Sequence, residues 1–192
     1  MGASRRFFSI SGVILLVGAL SLATKQLNFG IDFESGTRIT AALVKPRADR
    51  GGSVEVTPAS GLRYVNFAAR RLAAGESLAA REAGRESCIV VLTGSVDVRA
   101  GDAAWRDIGG RASVFDAQSP FAVYVPPGVE YRVTARDAAE VAIGTAPARG
   151  TLPPRLIEPA TMKRSTRGRD ANTRYVCDIL PETEPAESLL VV

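Results

Sequence analysis

The sequence predicts a mainly β protein, a two-layer β-sandwich or barrel, preceded by a single N-terminal transmembrane α-helix. Three observations carry this. Beyond residue 61, short apolar-alternating segments recur about every ten residues between Gly- and Pro-bearing turns, the signature of a sandwich or barrel. The same region shows no long apolar period of 3.6, which disfavours a helical or dinucleotide-binding fold. Residues 7–23 (FFSISGVILLVGALSLA) carry no charge and no strongly polar side chain. The chain accordingly divides into 1–42 (membrane helix and a short strand segment), 43–60 (linker and first strand) and 61–192 (the β domain).

As a helix, residues 7–23 would reach roughly 26 Å, close to the hydrocarbon thickness of a bilayer. Arg5 and Arg6 precede the segment and Lys25 follows it, so the charge bias keeps the N-terminus cytoplasmic. A signal peptide cleaved after Ser21-Leu22-Ala23 and a buried core helix are the alternatives. The chain is membrane-associated, through residues 7–24, if that helix is genuine. Next, Leu27-Asn28-Phe29-Gly30-Ile31-Asp32-Phe33 and Ser35-Gly36-Thr37-Arg38-Ile39-Thr40 alternate around glycines as strand, turn and strand. Residues 44–60 are rich in Pro, Gly and charge and read as a linker, with a first strand at 54–57.

In the β domain the strands are expected at residues 62–72, 86–92, 95–99, 104–108, 121–125, 130–135 and 139–145. Turns are expected at Ala74-Gly75, Thr93-Gly94, Ala100-Gly101-Asp102, Gly109-Gly110 and Pro126-Pro127-Gly128. Residues 163–174 (KRSTRGRDANTR) read as a solvated basic loop rather than a binding loop. The closing Leu189-Leu190-Val191-Val192 reads as an uncovered apolar strand, an edge that invites pairing or aggregation.

Composition narrows the chemistry. The 192 residues carry a formal charge of +4 and no histidine. The commonest metal ligand and the commonest general base are therefore missing. Lysine occurs only at 25, 45 and 163, and the arginines are interleaved with acids, as in Arg81-Glu82 and Arg85-Glu86. A nucleic-acid binder would concentrate such charge on one face, so no nucleic-acid partner is expected. The two cysteines, Cys88 and Cys177, have no metal-site spacing and read as reduced structural thiols rather than a disulfide. Cys88 opens the run Cys-Ile-Val-Val-Leu and reads as core. Trp105 reads as core or sheet surface.

Single candidates for chemistry are few. Pro126-Pro127-Gly128-Val129-Glu130-Tyr131 has the Pro and Gly of a cupin second motif, with Tyr131 where a metal cupin places histidine. That points to a cupin, a jelly-roll β-sandwich. A metal held by Glu82, Glu86 and Tyr131 alone would be weak, so no metal ligand and no catalytic residue is assigned in this chain. No substrate-binding residue is assigned either. Arg111 could meet a carboxylate, but pairing with Asp107 or Asp116 is the expected state.

Two resemblances follow from longer strings. Arg5-Arg6, Ser11-Gly12-Val13-Ile14-Leu15-Leu16-Val17-Gly18 and Leu27-Asn28-Phe29-Gly30-Ile31-Asp32-Phe33 resemble the first transmembrane segment of the SecD/SecF protein-export subunits, over about residues 5–42. That family usually has two adjacent glycines where this chain has Ser35-Gly36. The second set is Gly61-Leu-Arg-Tyr-Val-Asn-Phe, Gly84-Arg-Glu-Ser-Cys-Ile-Val-Val-Leu-Thr-Gly, Ile108-Gly-Gly-Arg-Ala-Ser-Val-Phe-Asp, Pro120-Phe-Ala-Val-Tyr-Val-Pro-Pro-Gly and Ala171-Asn-Thr-Arg-Tyr-Val-Cys-Asp-Ile-Leu-Pro-Glu. In this order they resemble the 5-deoxy-glucuronate isomerase family of myo-inositol catabolism, over about residues 43–192. The resemblance implies the N-terminal half of a cytoplasmic bicupin that interconverts 5-deoxy-glucuronate and 5-dehydro-2-deoxy-gluconate. It also implies that the divalent metal, which polarises the carbonyl as a Lewis acid, is held by a C-terminal cupin following the Glu-Ser-Leu-Leu-Val-Val string. No cofactor is expected in this chain, the C-terminal cupin is the expected partner, and the chain alone is expected to be inactive. Arg174 and Tyr175 are expected to pack against that partner. A fusion of the two pieces, or a membrane-anchored fragment related to SecD/SecF, is the competing expectation.

Overall fold

The computed structural model describes residues 54–56 and 64–192. The expected helix at 7–23 and the SecD/SecF-like string lie outside the described residues. Among those that are described, no helix is long and apolar enough to cross a membrane.

Eleven strands and two short 3₁₀ turns make up the described chain. The strands are β1 (Val54–Val56), β2 (Asn66–Leu72), β3 (Ser77–Arg81), β4 (Arg85–Ala100), β5 (Ala103–Arg111), β6 (Ala122–Val125), β7 (Glu130–Ala135), β8 (Ala139–Pro147), β9 (Arg155–Ile157), β10 (Lys163–Arg167) and β11 (Arg174–Asp178). All pairings are antiparallel. One sheet runs β1-β2-β8-β4-β6-β9; the other is built from β3, β7, β5 and the C-terminal half of β4. The result is a cupin-like sandwich in which β4 serves both layers.

Alternation explains how the layers close. Ile89 and Val91, Val123 and Val125, and Val141 and Ile143 point between the sheets, where Val96, Val98, Val133 and Ala135 meet them. Their neighbours Cys88 and Val90, Ala122 and Tyr124, and Ala142 and Ala146 point the other way. There the C-terminal segment covers them with Ile157, Ile179, Leu180 and Leu189. The first sheet is thus buried on both faces, which is why 88–92 is a continuous apolar run. Each fully buried Val or Ile contributes roughly 1.5–3 kcal/mol.

Several expectations are corrected. Thr93-Gly94 is not a turn: β4 continues through it, with register shifts between Val91 and Thr93 and between Gly94 and Ser95. Bulges bend the strand there and carry it from one sheet to the other. Gly109-Gly110 likewise lies inside β5. β3 (Ser77–Arg81) falls between the expected strands 62–72 and 86–92 and was not among them. β2 begins at Asn66, and Tyr64 and Val65, expected within it, lie outside the strand. The basic segment 163–174 is not one loop, because Lys163–Arg167 and Arg174–Asp178 pair as a hairpin. The closing residues are not an uncovered strand either. Leu189 is buried, Val191 bridges Leu180, and only Leu190 and Val192 stand exposed.

The C-terminal segment is held by two reciprocal carboxyl groups. Glu86, 0% exposed on β4, accepts hydrogen bonds from the backbone N–H of Glu187 (3.0 Å), Ser188 (2.7 Å) and Leu189 (2.6 Å) and from the Tyr124 hydroxyl (2.7 Å). Glu187 in turn accepts from the backbone N–H of Arg149 (2.6 Å), Gly150 (2.7 Å) and Thr151 (3.1 Å). Those donors, Arg149 first, hold the Glu187 carboxyl below its ordinary value of 4.5. A depressed carboxyl stabilises the fold above its unfolded pKa and loses that contribution as pH falls through its folded one. We expect urea midpoints to fall as pH drops below about 4.5. Glu187→Gln should flatten that part of the profile, and an unchanged slope would refute the assignment.

Candidate functional site

Two concave regions lie on opposite sides of the first sheet. The first is a cavity of about 190 Å³ lined by Asn66, Arg70, Leu78, Glu82, Tyr131 and Thr145, among others. It follows from strand parity: Asn66 and Arg70 share the inward face of β2 with Leu72, a core residue. Tyr131 reaches it from β7 and Thr145 from β8. Burial first, then the Glu82 carboxylate, pushes the Tyr131 phenol up to about 12, with Arg70 opposing. The phenol is a neutral hydrogen-bonding group at physiological pH. Arg70 donates to the Val54 carbonyl (3.3 Å).

Tyr131 and Glu82, two of the three residues of the weak metal set considered from the sequence, both line this cavity, but Glu86 does not join them. It lies on the opposite face of the sheet, committed to Tyr124 and the C-terminal segment. Among the described residues no cluster of three or more His, Cys, Asp or Glu is placed to hold a metal. The donor set at this cavity does not fit a catalytic metal of the His/Glu type.

The second region is an open, mainly apolar groove of about 750 Å³. Val90 and Arg111 line it as buried residues and Leu92 as a half-buried one, and Phe115, Tyr175 and Val192 stand exposed along it. Phe115 is 92% exposed and Tyr175 84%. Arg111 is buried here and does not pair with an aspartate. Its Nη2 donates to the Val114 carbonyl (2.5 Å) and its Nε finds no partner among the described residues. The expected acids are engaged elsewhere. Asp107 meets Arg136 (3.3 Å) and Asp116 accepts from the backbone N–H of Ala112 (2.8 Å) and Ser113 (3.1 Å). Arg174 and Tyr175, singled out in the sequence, both line this groove.

The cysteines are not bridged. Burial pushes the Cys88 thiol up to about 12, which leaves it inert. Cys177 donates to Ser119 Oγ (3.4 Å) beside the groove. Trp105 packs, partly buried, against the inter-sheet core. Asn66, Arg70, Thr145 and Phe115 were not anticipated as site residues. The alternation Asn66, Ala68, Arg70, Leu72 was the available signal for the first two.

Comparison with known proteins agrees with this architecture. A SecD/SecF GG motif model matches residues 20–46. The 5-deoxy-glucuronate isomerase of Geobacillus kaustophilus (strain HTA426) is 41% identical over 145 residues, covering 75% of this chain and 52% of that protein. The isomerase of Bacillus subtilis (strain 168) is 37% identical over 140 residues, covering 72% and 52%. The crystal structure of an IolB-like protein from Salmonella typhimurium LT2 superposes with a TM-score of 0.69 at 36% identity, covering 79% of this chain and 55% of that one. The chain thus spans about half the length of the curated relatives it matches. The KduI/IolB family model matches residues 42–192, and the chain belongs to that family.

Proposed function

We propose that this chain supplies the metal-free half of a 5-deoxy-glucuronate isomerase, the N-terminal cupin of a bicupin. The observation that carries the reading is the similarity of residues 42–192 to curated isomerases across about half of their length. Aldose–ketose isomerisation moves a proton between neighbouring carbons and needs a polarised carbonyl. The chain has no histidine and its described residues bring together no cluster suited to hold a metal for that purpose, so on this reading the divalent ion belongs with the second cupin. The groove along which Phe115 and Tyr175 stand exposed is the face offered to that partner: large exposed aromatics along an apolar groove mark an interaction surface. Purified chain given 5-deoxy-glucuronate and a divalent metal should show no turnover. Turnover by the chain alone would overturn the division of labour.

A second reading rests on the SecD/SecF GG motif match at residues 20–46 and the apolar run 7–23. On this reading the N-terminal segment tethers the chain to a membrane. Fractionation of expressing cells should then place full-length chain in the membrane pellet. Recovery of intact full-length chain in the soluble fraction would dismiss the tether.

A further inference from the structure

The geometry points to a second ligand site, in the cavity between β2, β3, β7 and β8, that takes a small uncharged polyol about the size of one monosaccharide ring. This goes beyond the isomerase reading, which assigns no ligand to this half.

Four observations carry it. The cavity sits at one end of the sandwich interior, a position where barrel-like folds commonly bind small molecules. Its volume, about 190 Å³, exceeds the ~150 Å³ that accommodates benzene, so a six-membered ring with hydroxyl substituents is the right scale. Its charge is balanced, with Arg70 set against Glu82, which favours a neutral ligand over an anion or a cation. Finally, it contains polar groups the described protein leaves unused. Asn66 Oδ1 is buried with no hydrogen-bond partner. The Tyr131 hydroxyl lines the same cavity and has no hydrogen bond from the described residues. Native folds rarely leave buried polar atoms unpaired, and such exceptions call for a missing partner. Hydroxyls donate and accept at once, so adjacent ligand hydroxyls can serve Asn66 Oδ1, Tyr131 and Glu82 together. Leu78, Ala80 and Ile143 give the apolar wall against which the C–H face of a sugar ring packs.

The test is calorimetric titration of the full chain with D-glucose as the neutral probe and D-glucuronate as an anion of the same ring size. Glucose should bind saturably and more tightly than glucuronate. Tyr131→Phe and Asn66→Ala should each weaken glucose binding about tenfold, the value of one well-made hydrogen bond. Tyr131→Phe removes an oxygen that no described group bonds, so its melting temperature should match the parent. That keeps the result readable even if Asn66→Ala folds poorly. No saturable glucose binding up to on the order of 100 mM overturns the site, because that is weaker than any specific pocket of this size should be. Binding unchanged in Tyr131→Phe places the ligand elsewhere and overturns it equally. Tighter binding of glucuronate overturns the uncharged-ligand assignment. None of these readouts depends on turnover, so failure here and failure of the isomerase reading are separable.

Discussion

Glu86→Ala should lower the stability of the β domain by about 3–5 kcal/mol, a large share of the 5–15 kcal/mol typical of a folded domain. The side chain is fully buried and accepts four hydrogen bonds, three of them from the consecutive amides of Glu187, Ser188 and Leu189. Truncation strands those donors away from water, and hydrogen bonds to a charged acceptor are worth roughly 1.5–3 kcal/mol each before non-additivity. Burial and the bond to Glu86 both raise the Tyr124 pKa, so the phenol stays protonated and is a donor in need of an acceptor. Arg155, stacked over the Tyr124 ring at 4.8 Å, cannot serve as one, since a guanidinium only donates. Glu86→Gln should cost less, about 2 kcal/mol, because it keeps the shape but turns one acceptor into a donor facing donors. Urea denaturation gives the free energies. Hydrogen exchange gives a sharper signature: amides 187–189 should lose protection ahead of the sheet. An unchanged midpoint in Glu86→Ala would show that the C-terminal segment is held by its apolar contacts alone.

Gly109→Ala should be comparably damaging, by about 3–4 kcal/mol, or should abolish folding. Two penalties coincide. Gly109 has φ +126°, a conformation that L-residues rarely adopt. A Cβ there would also stand 2.2 Å from the Gly94 carbonyl oxygen and 3.0 Å from Val91. Backbone on the paired strand cannot step aside as a side chain can. Gly94 faces the same problem from the other side, with φ +73° and a Cβ position 2.4 Å from the Ala138 carbonyl oxygen. Gly110, two-sided in sequence with Gly109, is the control. Its φ is +96° but nothing lies within 4 Å of an added Cβ, so Gly110→Ala incurs the dihedral penalty without the clash. Denaturation midpoints of Gly109→Ala and Gly110→Ala should therefore differ clearly. Equal midpoints would mean that the bulge relaxes around the methyl.

These glycines also explain where sequence reading fell short. A Thr-Gly or Gly-Gly pair ordinarily punctuates a strand, yet here it bends one without ending it, because the same strand must serve two sheets. β7 was legible by clean alternation, since Tyr131, Val133 and Ala135 recur at period two with more exposed partners between, and β6 by its short continuous apolar run. β3 was not, because Ser-Leu-Ala-Ala-Arg has little of the β-branched and aromatic character that marks strands. β10 and β11 are mostly exposed, so the hairpin has no buried stripe to betray it. The family strings located the domain, and the Pro126–Gly128 turn located its fold. The polar cavity was less visible. Its residues come from four strands, and an inward-facing arginine looks in sequence like any other surface arginine. The apolar groove had two hints, Arg111 and the pair Arg174-Tyr175. The distant Phe115 joins them only through the fold.

The partnership between Glu86 and residues 187–189 spans 101 to 103 positions along the chain. Contacts so remote in sequence form late and slow folding, since long loops must close before the contact rewards them. On a translating ribosome, at about 5–20 residues per second, Glu86 is made roughly 5–20 s before its last partners. For much of that interval the outer face of the first sheet, with Cys88, Val90, Ala122 and Tyr124, is bare, and the Glu86 carboxyl lacks its three backbone donors. Nascent chains of this protein should therefore depend on chaperone protection at that stage more than the finished fold suggests.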